Sequence, residues 1–153
     1  MLLRVPKSQL HRLCEALAQA GDREIGGQIF GEQLAPSCFL VSEMTIQRKR
    51  GAIASFIVDL VQATKDAMFF FDRTDHQYVK FNYIGEWHSH PNFPVYPSGV
   101  DIASMVNIVA DSEFQGNFAV LVIARLEEDS MSMGGWVFSA FGGVHEVDLE
   151  CLS

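Results

Sequence analysis

A chain of 153 residues has room for one ordinary domain, taken here as residues 1–153, and little more. Hydrophobic residues at 48% and charged residues at 20% are the balance of a globular protein and exclude disorder as the main state. The net charge of −8 is uneven: residues 1–80 carry ten basic and nine acidic side chains, whereas residues 81–153 carry ten acidic ones and a single basic one, Arg125, so no cationic surface for a nucleic acid is expected in the second half.

Leu2 to Val5 reads as a short strand. A helix opens at Ser8, with Leu10, Leu13, Cys14, Leu17 and Ala18 recurring at three and four and Gly21 as its stop. Strand-like runs follow at Gln28 to Gln33, after the Gly26-Gly27 pair, at Phe39 to Arg48 and at Ala54 to Val58. Asp59 can cap a second helix through about Phe71, and the Phe69-Phe70-Phe71 run reads as core. Tyr78 to His88 alternates as a strand. Three prolines within Pro91 to Pro97 then forbid regular structure. A third helix starts at Ser98-Gly99-Val100-Asp101, an S-x-x-D capping pattern, with Ile102, Met105, Val106, Ile108 and Val109 as its apolar face. Phe118 to Leu126 is a buried strand, and Trp136 to Phe141 and His145 to Leu149 are two more, set off by the Gly134-Gly135 and Gly142-Gly143 breaks. Strands and helices without strict alternation predict a mixed α/β (α+β) fold with the sheet covered by helices.

Cys14, Cys38 and Cys151 are far apart and odd in number, so they suggest reduced thiols in a cytoplasmic protein. The first residues lack a charged-then-apolar signal pattern, and no apolar run is long enough to span a membrane.

His88 and His90 stand two apart at a strand end, where a period of two puts both imidazoles on one face. Asp101 follows eleven residues after His90, in the first turn of a helix that the proline-rich loop can fold back over the strand end. Two imidazoles, one carboxylate and an open fourth position are the pattern of a catalytic zinc site. Each part also has a plainer reading, the histidines as a solvated pair and Ser98 with Asp101 as a capping box alone. It is the combined H-x-H-x7-S-x-x-D spacing that favours a metal. His11, His76 and His145 lie outside this constellation, and Ser89, on the opposite strand face, is expected to make a structural hydrogen bond. Trp87 either lines the site or fills the core.

The residues Glu86-Trp87-His88-Ser89-His90-Pro91 and Pro97-Ser98-Gly99-Val100-Asp101 resemble the JAMM signature of the JAB/MPN metalloproteases. The run Arg23-Glu24-Ile25-Gly26-Gly27-Gln28-Ile29-Phe30-Gly31 is similar to the glutamate-bearing segment that the family places upstream. Isoleucine follows Glu24 where threonine is common, and the chain lacks room for the insertions with which some eukaryotic members choose a polyubiquitin linkage. The resemblance extends from about Leu2 to Leu149 and implies a JAB/MPN fold, a curved mixed β-sheet packed between helices in cytidine-deaminase-like layers. It implies one zinc ion per chain held by His88, His90 and Asp101, with Glu24 as general base and Ser98 as oxyanion donor. The implied activity is that of an isopeptidase acting after the C-terminus of a ubiquitin-like protein, free or conjugated. Trp87 and the compact length look most like bacterial JAB proteins, some of which are encoded beside ubiquitin-activating and ubiquitin-conjugating (E1/E2-like) homologues in anti-phage operons. Two other functions fit the same fold: a non-catalytic MPN-type scaffold, against which the intact motif argues, and a DNA-repair-associated branch, against which the acidic second half argues. The sequence carries no signal for an oligomeric state.

Overall fold

A computed structural model describes residues 1–47, 60–128 and 130–153; the strand expected over residues 54–58 and the helix cap expected at position 59 lie outside them. The elements run β1 (Leu2–Val5), α1 (Lys7–Ala20), β2 (Gly26–Ala35), β3 (Cys38–Met44), α2 (Leu60–Arg73), β4 (Phe81–Ser89), α3 (Gly99–Ala110), β5 (Phe118–Leu126), β6 (Met131–Ser139), β7 (Val144–Glu146) and β8 (Asp148–Cys151). Eight strands form one sheet in the order β7-β6-β5-β4-β2-β3-β1-β8. β4 and β5 pair in parallel, as β1 does with both β3 and β8; the other ladders are antiparallel. The sheet curves until its two ends nearly meet: Val147 N–H donates to Gly135 O at 2.9 Å, tying the β7–β8 corner to β6.

Alternation along β5 sorts the core into two layers. Val120, Val122 and Ala124 face α1 and pack with Leu13, Ala16 and Leu17, while Ala119, Leu121 and Ile123 face α3 and pack with Met105 and Val109. α1 starts one residue before Ser8, at Lys7, with Pro6 as its N-cap, whose carbonyl accepts the Gln9 and Leu10 N–H groups. Gly21 ends it with φ +60, and its N–H donates to Leu17 O. The buried stripe of α1 includes Gln9 rather than Ala18, because the Gln9 amide bonds to Ser42 O and to the Met44 N–H.

The other departures from the sequence reading have local causes. Gly134 and Gly135 lie inside β6 instead of ending a segment before it. A Cβ on Gly134 would come within 2.4 Å of the Trp136 ring and 2.9 Å of Val95 O, which leaves no room for a side chain there, and one on Gly135 would press on Leu149 at 3.1 Å. The single strand expected over His145 to Leu149 is two: β7 pairs with β6 and β8 with β1, with Val147 buried at the corner between them. β4 begins at Phe81, after turns in which Asp75 and His76 take positive φ. Of the three consecutive phenylalanines only Phe70 is buried, stacked on Phe30 at 4.6 Å; Phe69 is 62% exposed beneath the Arg73 guanidinium. Ile102 and Val106 of α3 are likewise exposed, since the helix touches the sheet on one side only. Trp87 belongs to the core, fully buried, with its indole N–H donating to Thr45 O at 2.7 Å.

Candidate metal centre

The centre of the sheet builds the site. His88 is paired across β2 with Gly26 and across β5 with Ile123, so its position is fixed from both sides. A Cβ on Gly26 would fall 2.3 Å from Trp87 O, and this close approach brings the segment before β2 against the end of β4. Ser89 completes the junction, as expected for a structural residue: its Oγ accepts the Ile25 N–H at 3.0 Å and its N–H donates to Ile25 O at 2.8 Å. With Ile25 clamped, neighbouring Glu24 is held in the cleft and only 7% exposed.

Beyond β4 the proline-rich loop turns back over the strand ends. His90 N–H donates to Ala124 O, Arg125 donates to Phe93 O at 3.2 Å, and Tyr96 meets Trp136 edge-to-face at 5.2 Å. The loop delivers Ser98 as the N-cap of α3 in a reciprocal capping box: Ser98 Oγ accepts the Asp101 N–H, and Ser98 N–H donates to Asp101 Oδ2 at 2.7 Å. The capping box and the ligand reading therefore hold together, since Asp101 Oδ2 caps the helix and faces His90 while Oδ1, outside the cap, faces His88.

His88 Nε2 and His90 Nε2 lie 3.0 Å apart, with Asp101 Oδ1 3.4 Å from the first and Oδ2 3.6 Å from the second. Their side chains are 13%, 8% and 17% exposed, in that order. Around a zinc ion with bonds of about 2.0–2.1 Å, the edges of the ligand tetrahedron are about 3.3–3.4 Å, and one donor atom from each of the three side chains lies within 4.8 Å of the other two, close enough to share an ion. Tautomer chemistry agrees. His90 Nδ1 is 2.8 Å from Pro94 O, which can only accept, so Nδ1 carries a proton and Nε2 is the ring nitrogen left to face Asp101 or a metal. Burial alone would push the Asp101 carboxyl up, but hydrogen bonds from His88, His90 and Ser98 hold it far below the usual carboxylate range. The Asp101 carboxylate raises His90 above its ordinary value; burial opposes this, and the Pro94 carbonyl and the charges of Asp101 and Glu24 add to it.

All five expected residues, Glu24, His88, His90, Ser98 and Asp101, line one cleft of about 590 Å³. Glu86, Phe93, Tyr96, Met105 and Leu121 line it too and were given no part by the sequence reading. Glu86 could have been found from its place two residues before His88, on the same strand face. Burial raises its carboxyl above the ordinary value, and the Tyr83 hydroxyl and His88 act in the opposite sense.

The model of a family described as prokaryotic homologs of the JAB domain matches residues 6–136, a span that runs from α1 through every residue of this site. The chain belongs to that JAB family. Over 41 residues it is 46% identical to a CD-NTase/cGAS isopeptidase of Enterobacter hormaechei subsp. hoffmannii (strain UCI 50). The matched stretch is 27% of this chain and 23% of that protein, so the chain spans about a quarter of the relative's length. Two solved structures share the JAB fold of the chain. A protein of Desulfitobacterium hafniense studied in solution superposes with a TM-score of 0.74 at 17% identity, over 99% of this chain and 94% of its own. A JAB1/MPN domain protein of Archaeoglobus fulgidus gives 0.53 at 16% identity, over 99% and 98%. At such identities the likeness concerns the fold alone, and it agrees with the curved sheet packed between helices expected of this JAB domain.

Proposed function

We propose that the chain is a zinc-dependent hydrolase of the isopeptidase type, cleaving the bond that follows the C-terminus of a ubiquitin-like protein, either conjugated or as a precursor. The observation that carries this reading is the convergence of His88, His90 and Asp101, close enough to share an ion, with a buried glutamate, Glu24, in the same cleft. Membership of the JAB family and the partial relative named as an isopeptidase support it. The name of that relative supports a protein conjugate as substrate, and the resemblance to bacterial JAB proteins favours a ubiquitin-like one, with E1- and E2-like enzymes as functional companions. Among the described residues no helix is long and apolar enough to cross a membrane, and the three thiols are free; both suit action in the cytoplasm.

His88, His90 and Asp101 would hold one zinc ion, which when bound supplies Lewis acidity that makes water a better nucleophile and polarises a carbonyl. Glu24, outside the ligand set, takes the proton from the attacking water and passes it to the departing amine, work for a fixed carboxylate that no metal bond occupies. Ser98 Oγ accepts from the Asp101 N–H with a lone pair, so its own O–H, which also reaches the Asp101 carboxylate, can turn toward the oxyanion of the tetrahedral intermediate. The N-terminus of α3 lies behind it and favours the same negative charge. An intact set of this kind favours an enzyme over an interaction scaffold.

Metal analysis of protein purified without chelator is expected to give one zinc per chain, and purified protein should release a ubiquitin-like fusion partner in a chelator-sensitive way. Absence of zinc, together with no cleavage on zinc addition, overturns the reading. Asp101→Ala should lower zinc content and activity together; unchanged zinc would leave Asp101 as a helix cap alone. For Ser98→Ala two effects are expected: a stability loss of about 1 kcal/mol from the missing cap, read by denaturant unfolding, and a fall in kcat of about 10²–10³-fold from the missing donor. A stability loss with unchanged kcat would remove Ser98 from the chemistry.

A further inference from the structure

Glu86 is an unusual residue for its position. Strands buried on both faces seldom carry glutamate, yet Glu86 sits in the centre of β4, paired with Gln28 on one side and Leu121 on the other. A bulge explains how its surroundings are built. Across β2 the register steps from Ile29↔Gly85 to Phe30↔Tyr83, so Ile84 is an extra residue on β4. That residue turns Tyr83 onto the face that bears Glu86 and His88. Tyr83, held by edge-to-face contact with Phe30 at 6.2 Å, then brings its hydroxyl to 3.5 Å from Glu86 Oε1. This is the one hydrogen bond of the carboxylate among the described residues, and no Lys or Arg is among the described residues lining the cleft.

The floor beside Glu86 is apolar, formed by Leu121 and Met105, both buried. A carboxylate in such a place is costly unless something brings it a positive charge. Among the described residues no lysine or arginine does: Arg125 is engaged with Glu127 and the Phe93 carbonyl at the other end of the loop. The complementary ligand has a cationic head for Glu86 and an aliphatic stem for Leu121 and Met105, and a lysine or arginine side chain has both. Glu86 stands one strand pleat from His88, about 7 Å along β4. A side chain seated on it therefore belongs to a residue within a step or two of the bond being cut.

We propose that Glu86, seconded by Tyr83, is the specificity-determining carboxylate of a subsite that takes a basic side chain of the substrate beside the scissile bond. The subsite rests on the isopeptidase reading for its place in a reaction, but not for its ability to bind a cation. It also gives the acidic excess of the second half of the chain a defined point of contact with a basic tail.

Two measurements separate the subsite from the chemistry. In the first, butylguanidine and its neutral isostere butylurea are titrated into the purified protein and followed by NMR of the methionine and leucine methyl groups. Butylguanidine should shift the Met105 and Leu121 signals and bind at least tenfold more tightly than butylurea, and the isosteric Glu86→Gln should reduce that ratio to about one. Equal binding of the two compounds, or a ratio unchanged in Glu86→Gln, overturns the proposal whatever the protein cleaves. In the second, fusion substrates carry arginine, lysine or norleucine at each of the three positions on either side of the cleaved bond. Wild-type protein should prefer the basic residue at one position by at least tenfold in kcat/KM, a preference that Glu86→Gln erases and Glu86→Lys reverses toward glutamate. Cleavage without a basic preference overturns the subsite and leaves the isopeptidase reading in place. Glu86-dependent binding of butylguanidine with no cleavage of any fusion upholds the subsite and removes the isopeptidase reading.

Discussion

Glu24→Gln is expected to slow cleavage of a ubiquitin-like fusion by about 10²–10⁴-fold while zinc content stays at the wild-type level. Glutamine keeps the shape of the side chain but has no carboxylate to accept a proton, so the change removes a proton shuttle without opening a hole. Metal binding should survive because Glu24 lies outside the group of His88, His90 and Asp101 whose donor atoms stand together. The fold should survive too, since what fixes this segment is the Ile25 backbone on Ser89, made of atoms the substitution does not touch. Parallel zinc analysis and single-turnover cleavage check the claim. Cleavage at the wild-type rate would mean that another group moves the proton, and loss of zinc with activity would place Glu24 among the ligands instead.

Gly85→Ala should be among the most damaging single substitutions in the chain. Gly85 sits in β4 opposite Val120 of β5, and an added Cβ would fall 1.9 Å from Val120 O and 2.5 Å from Val120 N. These are backbone atoms inside a ladder, so relief requires β4 and β5 to move apart. Overpacking of this kind costs about 3 kcal/mol or more when the obstacle cannot rotate away. The damage should extend to the metal, because the same ladder sets His88 against Ile123 and Ser89 against Ala124. Denaturant unfolding followed by zinc titration reads both effects. A loss below about 1 kcal/mol would mean that the two strands can separate at this point with little consequence.

The convergence of His88, His90 and Asp101 was legible because it is local: a strand end, a rigid loop and a helix start supply all three within one short stretch, where periodicity and capping rules apply. Glu24 was not legible in that way. It reaches the cleft through the pairing of β2 with β4, a long-range contact that no local pattern encodes, and only the family resemblance pointed to it. The strand that spans Gly134 and Gly135, the split of the last strand at Val147 and the exposure of Phe69 were misread for one reason. Each depends on which neighbour comes close: the Trp136 ring and Leu149 over the glycines, Gly135 against Val147, solvent and Arg73 over Phe69. The Ile84 bulge belongs with them, since an extra residue in one strand is visible only once its partner is known.

The two outermost segments of the described chain meet as neighbours in the sheet, β1 beside β8, with Arg4 bound to Glu150 across a sequence separation of 146 residues. Closing so long a loop is entropically unfavourable and brings its reward late. During synthesis the segment that carries the candidate metal site, from β2 to β6, can assemble while β1 still has an open edge, so this edge should be a point of vulnerability to misassociation until residues 148–151 emerge and cover it.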